Sequence, residues 1–176
     1  MRIHIFGASG SGVTTLGQAL SAHVAFPYFD ADDYYWLPSN PPFQHKRDPV
    51  ERNALLLDEL NQYPNWIVGG SLDSWGPEWP PLFDLVVFLW IPSQIRIDRL
   101  WKREFERYGE QLVSNPDQRQ RSDDFINWSS EYDSGLLKGR SKLRHEAWML
   151  TLSCPIIRLE GDLTVDERVN RILEAL

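Results

Sequence analysis

The chain has 176 residues, 42% of them hydrophobic, which is enough for one domain with a full core. Its formal net charge of −7 argues against general nucleic-acid binding, which relies on a basic surface. The single cysteine, Cys154, excludes an internal disulfide; no signal peptide and no apolar run of the ~18 residues that span a bilayer are visible, so a cytoplasmic, non-membrane protein is expected.

Arg2-Ile3-His4-Ile5-Phe6 is a short apolar run of strand type, and glycines follow it at once. Residues 7–15 read Gly7-Ala8-Ser9-Gly10-Ser11-Gly12-Val13-Thr14-Thr15. They fit the phosphate-loop pattern G-x-x-x-x-G-K-[ST] at every fixed position except Val13, where the pattern asks for lysine. Val13 to Val24 reads as a helix, with Leu16, Leu20 and Val24 on one stripe and Gly17 allowing close packing. In a strand–loop–helix setting such a loop turns backbone N–H groups toward a phosphate, and the helix N-terminus adds partial positive charge. The expected ligand is a nucleoside triphosphate, ATP, held by Gly7, Ser9, Gly10, Ser11, Gly12, Val13, Thr14 and Thr15, with the Thr14 hydroxyl on Mg²⁺. The competing reading is a plain glycine-rich turn. A lysine at 13 would contribute on the order of 4 kcal/mol at 4 Å and an effective dielectric of 20. With valine there, either another cation takes that role, or nucleotide binds without efficient transfer, or a different phosphorylated ligand binds.

Pro27-Tyr28-Phe29 reads as a second strand that ends in Asp30-Ala31-Asp32-Asp33, followed by an aromatic and proline-rich loop from Tyr34 to Phe43. Asp48-Pro49-Val50-Glu51 is a helix start, with Asp as cap, Pro in the first turn and Glu three residues after the cap; the helix runs to about Leu60. Trp66-Ile67-Val68-Gly69-Gly70 is a third strand breaking into a glycine pair, and a Trp/Pro loop from Trp75 to Pro81 follows. The continuous apolar run from Leu85 to Ile91 fits a parallel strand buried on both faces.

A helix from Ser93 to Tyr108 carries Arg96, Arg99, Arg103 and Arg107 on one face, with Ile97, Leu100, Trp101, Phe105 and Tyr108 opposite. Arg96 reads as part of a solvated face. Arg103 and Arg107, nearer the helix end, read as functional. Residues 109–138 are polar and lack a strand, so they are expected to form a mobile lid inserted in the single domain 1–176. Arg140 and Arg144 then form a pair one turn apart on the returning helix. Arginines brought in by lid closure can stabilise a transferring phosphoryl group, so Arg103, Arg107 and Arg140 are the expected substitutes for the missing lysine.

Cys154 precedes the fifth strand, Pro155 to Leu159, and reads as a buried structural thiol. Thr164-Val165-Asp166-Glu167 is a capping box that opens a last helix, with Val165, Val169, Ile172 and Leu176 on one face. Strands alternating with helices predict an α/β fold: a five-stranded parallel sheet flanked by helices, with a helical lid. Ligands in such sheets sit beyond the C-terminal strand ends, so the glycine loop, Asp30 to Asp33 and Gly69-Gly70 should converge on one crevice. Trp36 and Phe43 in one loop, and Trp75 and Trp79 in the other, either stack on a planar substrate or anchor their loops to the core. The four histidines, His4, His23, His45 and His145, show no metal-ligand spacing.

Taken together, GASGSGVTT, FDADDYYW, WIVGG, LVVFLWIP and RIDRLWKREFER resemble the P-loop nucleotide and small-molecule kinases of the adenylate kinase-related group, and the topology-modulation kinases within it. The likeness spans nearly the whole chain. It implies a substrate region after the second strand, here with Asp30, Asp32, Trp36, Gly69 and Gly70, and an arginine-bearing lid. By resemblance to shikimate and gluconate kinases, Asp30 helps organise Mg²⁺ and Asp32 meets a substrate hydroxyl. A carboxylate there can orient the hydroxyl and accept its proton. Val13 departs from the family pattern. The expected function is ATP-dependent phosphoryl transfer to a nucleotide or a small hydroxylated metabolite. The alternatives are a nucleotide-binding protein with little turnover and a binding protein for another phosphorylated ligand.

Overall fold

The computed structural model describes residues 1–135 and 139–176; the last three positions of the expected lid, 136–138, lie outside the described residues. Five strands, β1 (Arg2–Gly7), β2 (Tyr28–Asp30), β3 (Trp66–Gly69), β4 (Leu85–Trp90) and β5 (Ile156–Glu160), form one sheet in the order β2-β3-β1-β4-β5. Every pairing is parallel. This is the expected α/β architecture. Its helices are α1 (Val13–Val24), α2 (Ala31–Tyr35), α3 (Pro49–Leu60), α4 (Ser93–Tyr108), α5 (Gln111–Ser114), α6 (Pro116–Ser130), α7 (Lys142–Met149) and α8 (Val165–Leu173).

Alternate strand residues serve opposite faces, as the period of two requires. Ile3, Ile5, Leu85, Val87 and Leu89 meet Leu16 and Leu20 of α1 and Val169 and Ile172 of α8. Phe6, Val68, Val86 and Phe88 meet Leu56 and Leu60 of α3, Met149 of α7 and the loop tryptophans Trp75 and Trp79. Both tryptophans are buried, so they anchor their loop rather than line a ligand site. Gly17 is required for packing: a Cβ there would stand 2.1 Å from the Tyr28 ring, which fills the space between α1 and β3.

After Asp30 a short helix, α2, begins at Ala31, and Asp30 caps it by accepting from the Asp32 N–H. Several expectations need correction. Cys154 is half-buried rather than fully enclosed. Helix α8 stops at Leu173, and Leu176 is exposed beyond it.

The largest departure is in α4, where the buried stripe is Arg96, Leu100 and Glu104, while Phe105 is exposed. Arg96 is therefore not solvated. Its guanidinium donates to the Ile91 and Ser129 carbonyls at 3.0 and 3.3 Å and pairs with Asp133 at 2.6 Å. The segment after α4 folds as α5, α6 and a 3-10 turn over Glu131–Ser134, and α6 packs back on α4. Arg140 also differs from expectation: it precedes α7 and its cap Ser141, whereas Arg144 lies in the first turn of that helix.

Candidate active site

The glycine loop joins β1 to α1. Gly12 caps the helix with φ 90°, a left-handed conformation that favours glycine, and no side chain caps the first turn. The first N–H groups of α1 therefore have no side-chain partner at the loop, the arrangement that receives an anion. Within the loop the Ser11 N–H donates to the Ala8 carbonyl at 3.1 Å. Val13 packs its side chain against the apolar cluster under α1, so the lysine position of the pattern is occupied by core-facing hydrocarbon.

Thr14 and Asp30 meet directly. The Thr14 hydroxyl donates to Asp30 Oδ2 at 2.8 Å, and the Tyr28 hydroxyl donates to the same oxygen at 3.2 Å. A hydroxyl and a carboxylate at the mouth of a phosphate loop are hard oxygen donors suited to Mg²⁺, which takes one or two carboxylates and completes its shell with water and phosphate. Among the described residues no group of three His, Cys, Asp or Glu side chains could hold a metal by itself, so such an ion would depend on its nucleotide. A cavity of about 510 Å³ opens beside this pair, lined also by Gln18, Asp33 and Glu59.

Asp32 lies within electrostatic reach of Arg140 and Arg103. Its side chain reaches solvent, yet the protein around it pushes the carboxyl above the usual carboxylate range by desolvation. Arg140 opposes that rise, Asp30 adds to it, and Arg103 opposes it again. Arg140 also reaches the loop, where Nη1 donates to Ser9 Oγ at 3.4 Å; Trp128, Ser129 and Tyr132 line the cleft between these two residues. Arg103 lies over the Phe125 ring at 5.7 Å, and burial and the neighbouring Arg107 hold its guanidinium below the usual value. Arg140 thus contacts Ser9 of the loop, and its charge, with that of Arg103, acts on Asp32.

Arg107 and Trp36 sit elsewhere. Arg107 lies 4.8 Å from the Phe43 ring centroid and 3.7 Å from Glu104, so it ties the end of α4 to the aromatic loop. Trp36 stacks edge-on against Tyr35 and Phe43 in that loop, and its backbone bridges to Lys46. Gly69 ends β3 beside the Tyr28 ring, and Gly70 passes close to Ala31 of α2, so close packing rather than a ligand accounts for both.

Three residues that the sequence reading passed over belong to this region. Arg168 of α8 is buried, and its Nη1 donates to the Ser11 carbonyl at 3.0 Å. Arg52 of α3 is buried, with its guanidinium 4.4 Å from the Trp75 ring centroid and 4.9 Å from that of Tyr35. Among the described residues it has no ion pair, and its Nε has no hydrogen-bond partner. Because α3 ends just before β3 begins, its first turn, which holds Arg52, lies at the C-terminal edge of the sheet. His145 of α7 is also buried; it contacts Ser71 Oγ at 3.1 Å and the Tyr132 hydroxyl at 2.8 Å. A usable signal existed for two of these. Arg52 is in phase with Leu56 and Leu60, and Arg168 with Val165 and Ile172, so each is a charge on an apolar stripe.

Residues 3–122, more than half of the chain, match the family described as AAA domain. The uncharacterized protein YqaC of Bacillus subtilis (strain 168) is 45% identical over 174 residues, covering 99% of this chain and 96% of its own length. Among solved structures, shikimate kinase from Acinetobacter baumannii in complex with shikimate aligns with a TM-score of 0.55 at 16% identity, over 99% of this chain and 91% of its own. A gluconokinase from Sinorhizobium meliloti 1021 aligns with a TM-score of 0.53 at 15% identity, over 98% and 89% of the two chains. Deoxyadenosine kinase from M. mycoides aligns with a TM-score of 0.51 at 14% identity, over 99% and 98%. At these identities the likeness is one of fold. The chain therefore belongs to the AAA domain family and carries the fold of the P-loop kinases.

Proposed function

We propose that this protein is an ATP-dependent phosphotransferase that acts on a nucleotide or a small hydroxylated metabolite. The observation that carries the reading is the convergence of Arg140 on both Ser9 of the glycine loop and Asp32 of α2. The loop amides and the first turn of α1 hold the triphosphate, and Thr14 and Asp30 would hold Mg²⁺, which neutralises phosphate charge when bound. Asp32 orients the acceptor hydroxyl and takes its proton as the hydroxyl oxygen attacks the γ-phosphorus. The bond from that phosphorus to the bridging oxygen breaks, and ADP leaves. A carboxyl with raised proton affinity suits this task. Arg140 and Arg103 stabilise the charge on the transferring group, the role that the pattern gives to lysine.

The kinases that share the fold are named for shikimate, gluconate and deoxyadenosine, each a molecule with free hydroxyls. The unpaired guanidinium of Arg52 supports an acceptor that also carries a carboxylate or phosphate. A second reading, a nucleotide-binding protein with little turnover, is favoured by Val13 alone.

The test is calorimetric titration with a non-hydrolysable ATP analogue and Mg²⁺, followed by a phosphotransfer screen over nucleotides and hydroxylated acids. Micromolar binding and transfer to one acceptor class are expected. Arg140→Ala and Arg103→Ala should each lower turnover by roughly 10²-fold or more. Binding without transfer to any acceptor would favour the second reading, and absence of binding would overturn both.

A further inference from the structure

The glycine loop is served by a further cation. Arg168 comes from α8, which packs against α1, whereas Arg140 reaches the loop at Ser9. It is buried, and its guanidinium meets only backbone oxygens: Ser11 O at 3.0 Å and Gly161 O at 3.4 Å. Its Nε has no hydrogen-bond partner, and no carboxylate lies within ion-pair distance of it among the described residues. The nearest acidic neighbours act elsewhere, since Asp162 pairs with Arg99 at 2.6 Å and Glu167 closes the capping box with Thr164. A buried cation without a counter-ion is costly to keep. Here it lies against a cradle shaped for an anion.

The geometry of the peptide unit gives the contact a direction. In a trans peptide the C=O and the following N–H point opposite ways. Arg168 fixes the orientation of the Ser11 carbonyl through Nη1. The Gly12 N–H of the same peptide is thereby fixed pointing the other way, away from Arg168, and the charged donor on the carbonyl polarises that amide into a stronger donor. A Cβ on Gly12 would stand 3.3 Å from Arg168 Nη1, so the guanidinium lies directly against the loop backbone.

We infer that Arg168 is a positioning residue for the phosphate loop, whose charge at the Ser11 carbonyl adds to what Arg140 and Arg103 supply at the transferring group. The inference rests on the proposed triphosphate site. It accounts for two facts together: a loop that lacks its lysine, and a buried arginine that spends its charge on that loop's carbonyl. The ligand must be a polyphosphate rather than a neutral nucleoside, because only negative charge gains from both effects.

The experiment is calorimetric titration of the full chain with Mg²⁺ plus a non-hydrolysable ATP analogue, and separately with AMP and with adenosine. It compares the wild type with Arg168→Met, Arg168→Gln and Arg168→Lys, after thermal melts identify the folded variants. The two neutral variants should bind the triphosphate analogue roughly tenfold more weakly, the size expected of a charge-assisted hydrogen bond. The loss should shrink for AMP and vanish for adenosine, and Arg168→Lys should recover most of it. A residue that merely packs α8 would shift all three ligands alike, and lysine would not rescue it. Unchanged triphosphate affinity in Arg168→Gln, or equal losses for all ligands, would overturn the inference while leaving the triphosphate site standing. Failure of the wild type to bind the analogue would instead overturn the site itself, and the inference with it.

Discussion

Asp32 carries the most chemical weight of any single side chain here. It sits in the first turn of α2, within electrostatic reach of Arg140 and Arg103, and is held above the usual carboxylate range by desolvation. Asp30, two residues earlier, has a different environment: it accepts from Thr14, Tyr28 and the Asp32 amide. Two carboxylates of one motif are thus set apart, one toward the loop hydroxyl and one toward the arginines. Asp32→Asn keeps the shape and removes the proton acceptor. We expect turnover to fall by roughly 10²–10⁴-fold, with affinity for the ATP analogue changed less than twofold. Steady-state kinetics beside calorimetry reads both numbers. A variant that turned over at wild-type rate would remove Asp32 from the chemistry, and one that lost nucleotide affinity in proportion would assign it to binding.

Elements were legible where local rules act alone. The bounds of α1, α3, α4 and β4 follow from caps, glycines and apolar periodicity, and the capping box at Thr164 is present as both of its hydrogen bonds. What escaped was tertiary. Arg96 looks like its exposed neighbours on a helical wheel, and only the return of the chain after α6 places Asp133 against it. The same return supplies Tyr132 to His145, 13 residues on, and Arg140 to Ser9, 131 residues away, contacts that helical and strand periodicity do not register. Arg52 and Arg168 were legible in principle, since each falls in phase with buried apolar residues of its helix.

The Arg96–Asp133 pair also makes a prediction at this scale. Asp133 accepts from the fully buried Arg96 at 2.6 Å and from the indole of Trp90 at 2.8 Å, so it ties the 3-10 turn to the ends of β4 and α4. Removing one partner strands a buried charge, which typically costs about 3 kcal/mol or more. Asp133→Asn should destabilise the fold by about that amount in urea unfolding, while Arg96→Met together with Asp133→Asn should cost less than the single change. If the double variant were the less stable, the pair would be stabilising in its own right rather than a constraint on where the turn docks.

At the scale of the molecule, two buried histidines bear on the same side of the sheet. His4 in β1 stacks on Phe6 and Phe83, and burial lowers its pKa from 6.5 to about 3. His145 in α7 packs edge-on to Phe6 and Phe88, and burial, reinforced by Arg140, lowers its pKa to about 3 as well. Both are neutral in the fold, and His145 in that form exchanges hydrogen bonds with Ser71 and Tyr132 through its two ring nitrogens. In the unfolded chain each titrates near 6.5. Between that value and about 3 the unfolded chain binds more protons than the folded one, so stability falls as the pH drops and is fully present above 6.5. Each histidine should cost about 2 kcal/mol on going from pH 7 to pH 5. Urea unfolding at the two pH values measures the sum. His4→Phe, which keeps the stacked ring and removes the titration, should roughly halve the pH dependence. A wild type equally stable at both values, or a variant with the full dependence, would mean that the sheet accepts a charged imidazole. It would also mean that the tie from Tyr132 through His145 to Ser71 does not depend on a neutral ring.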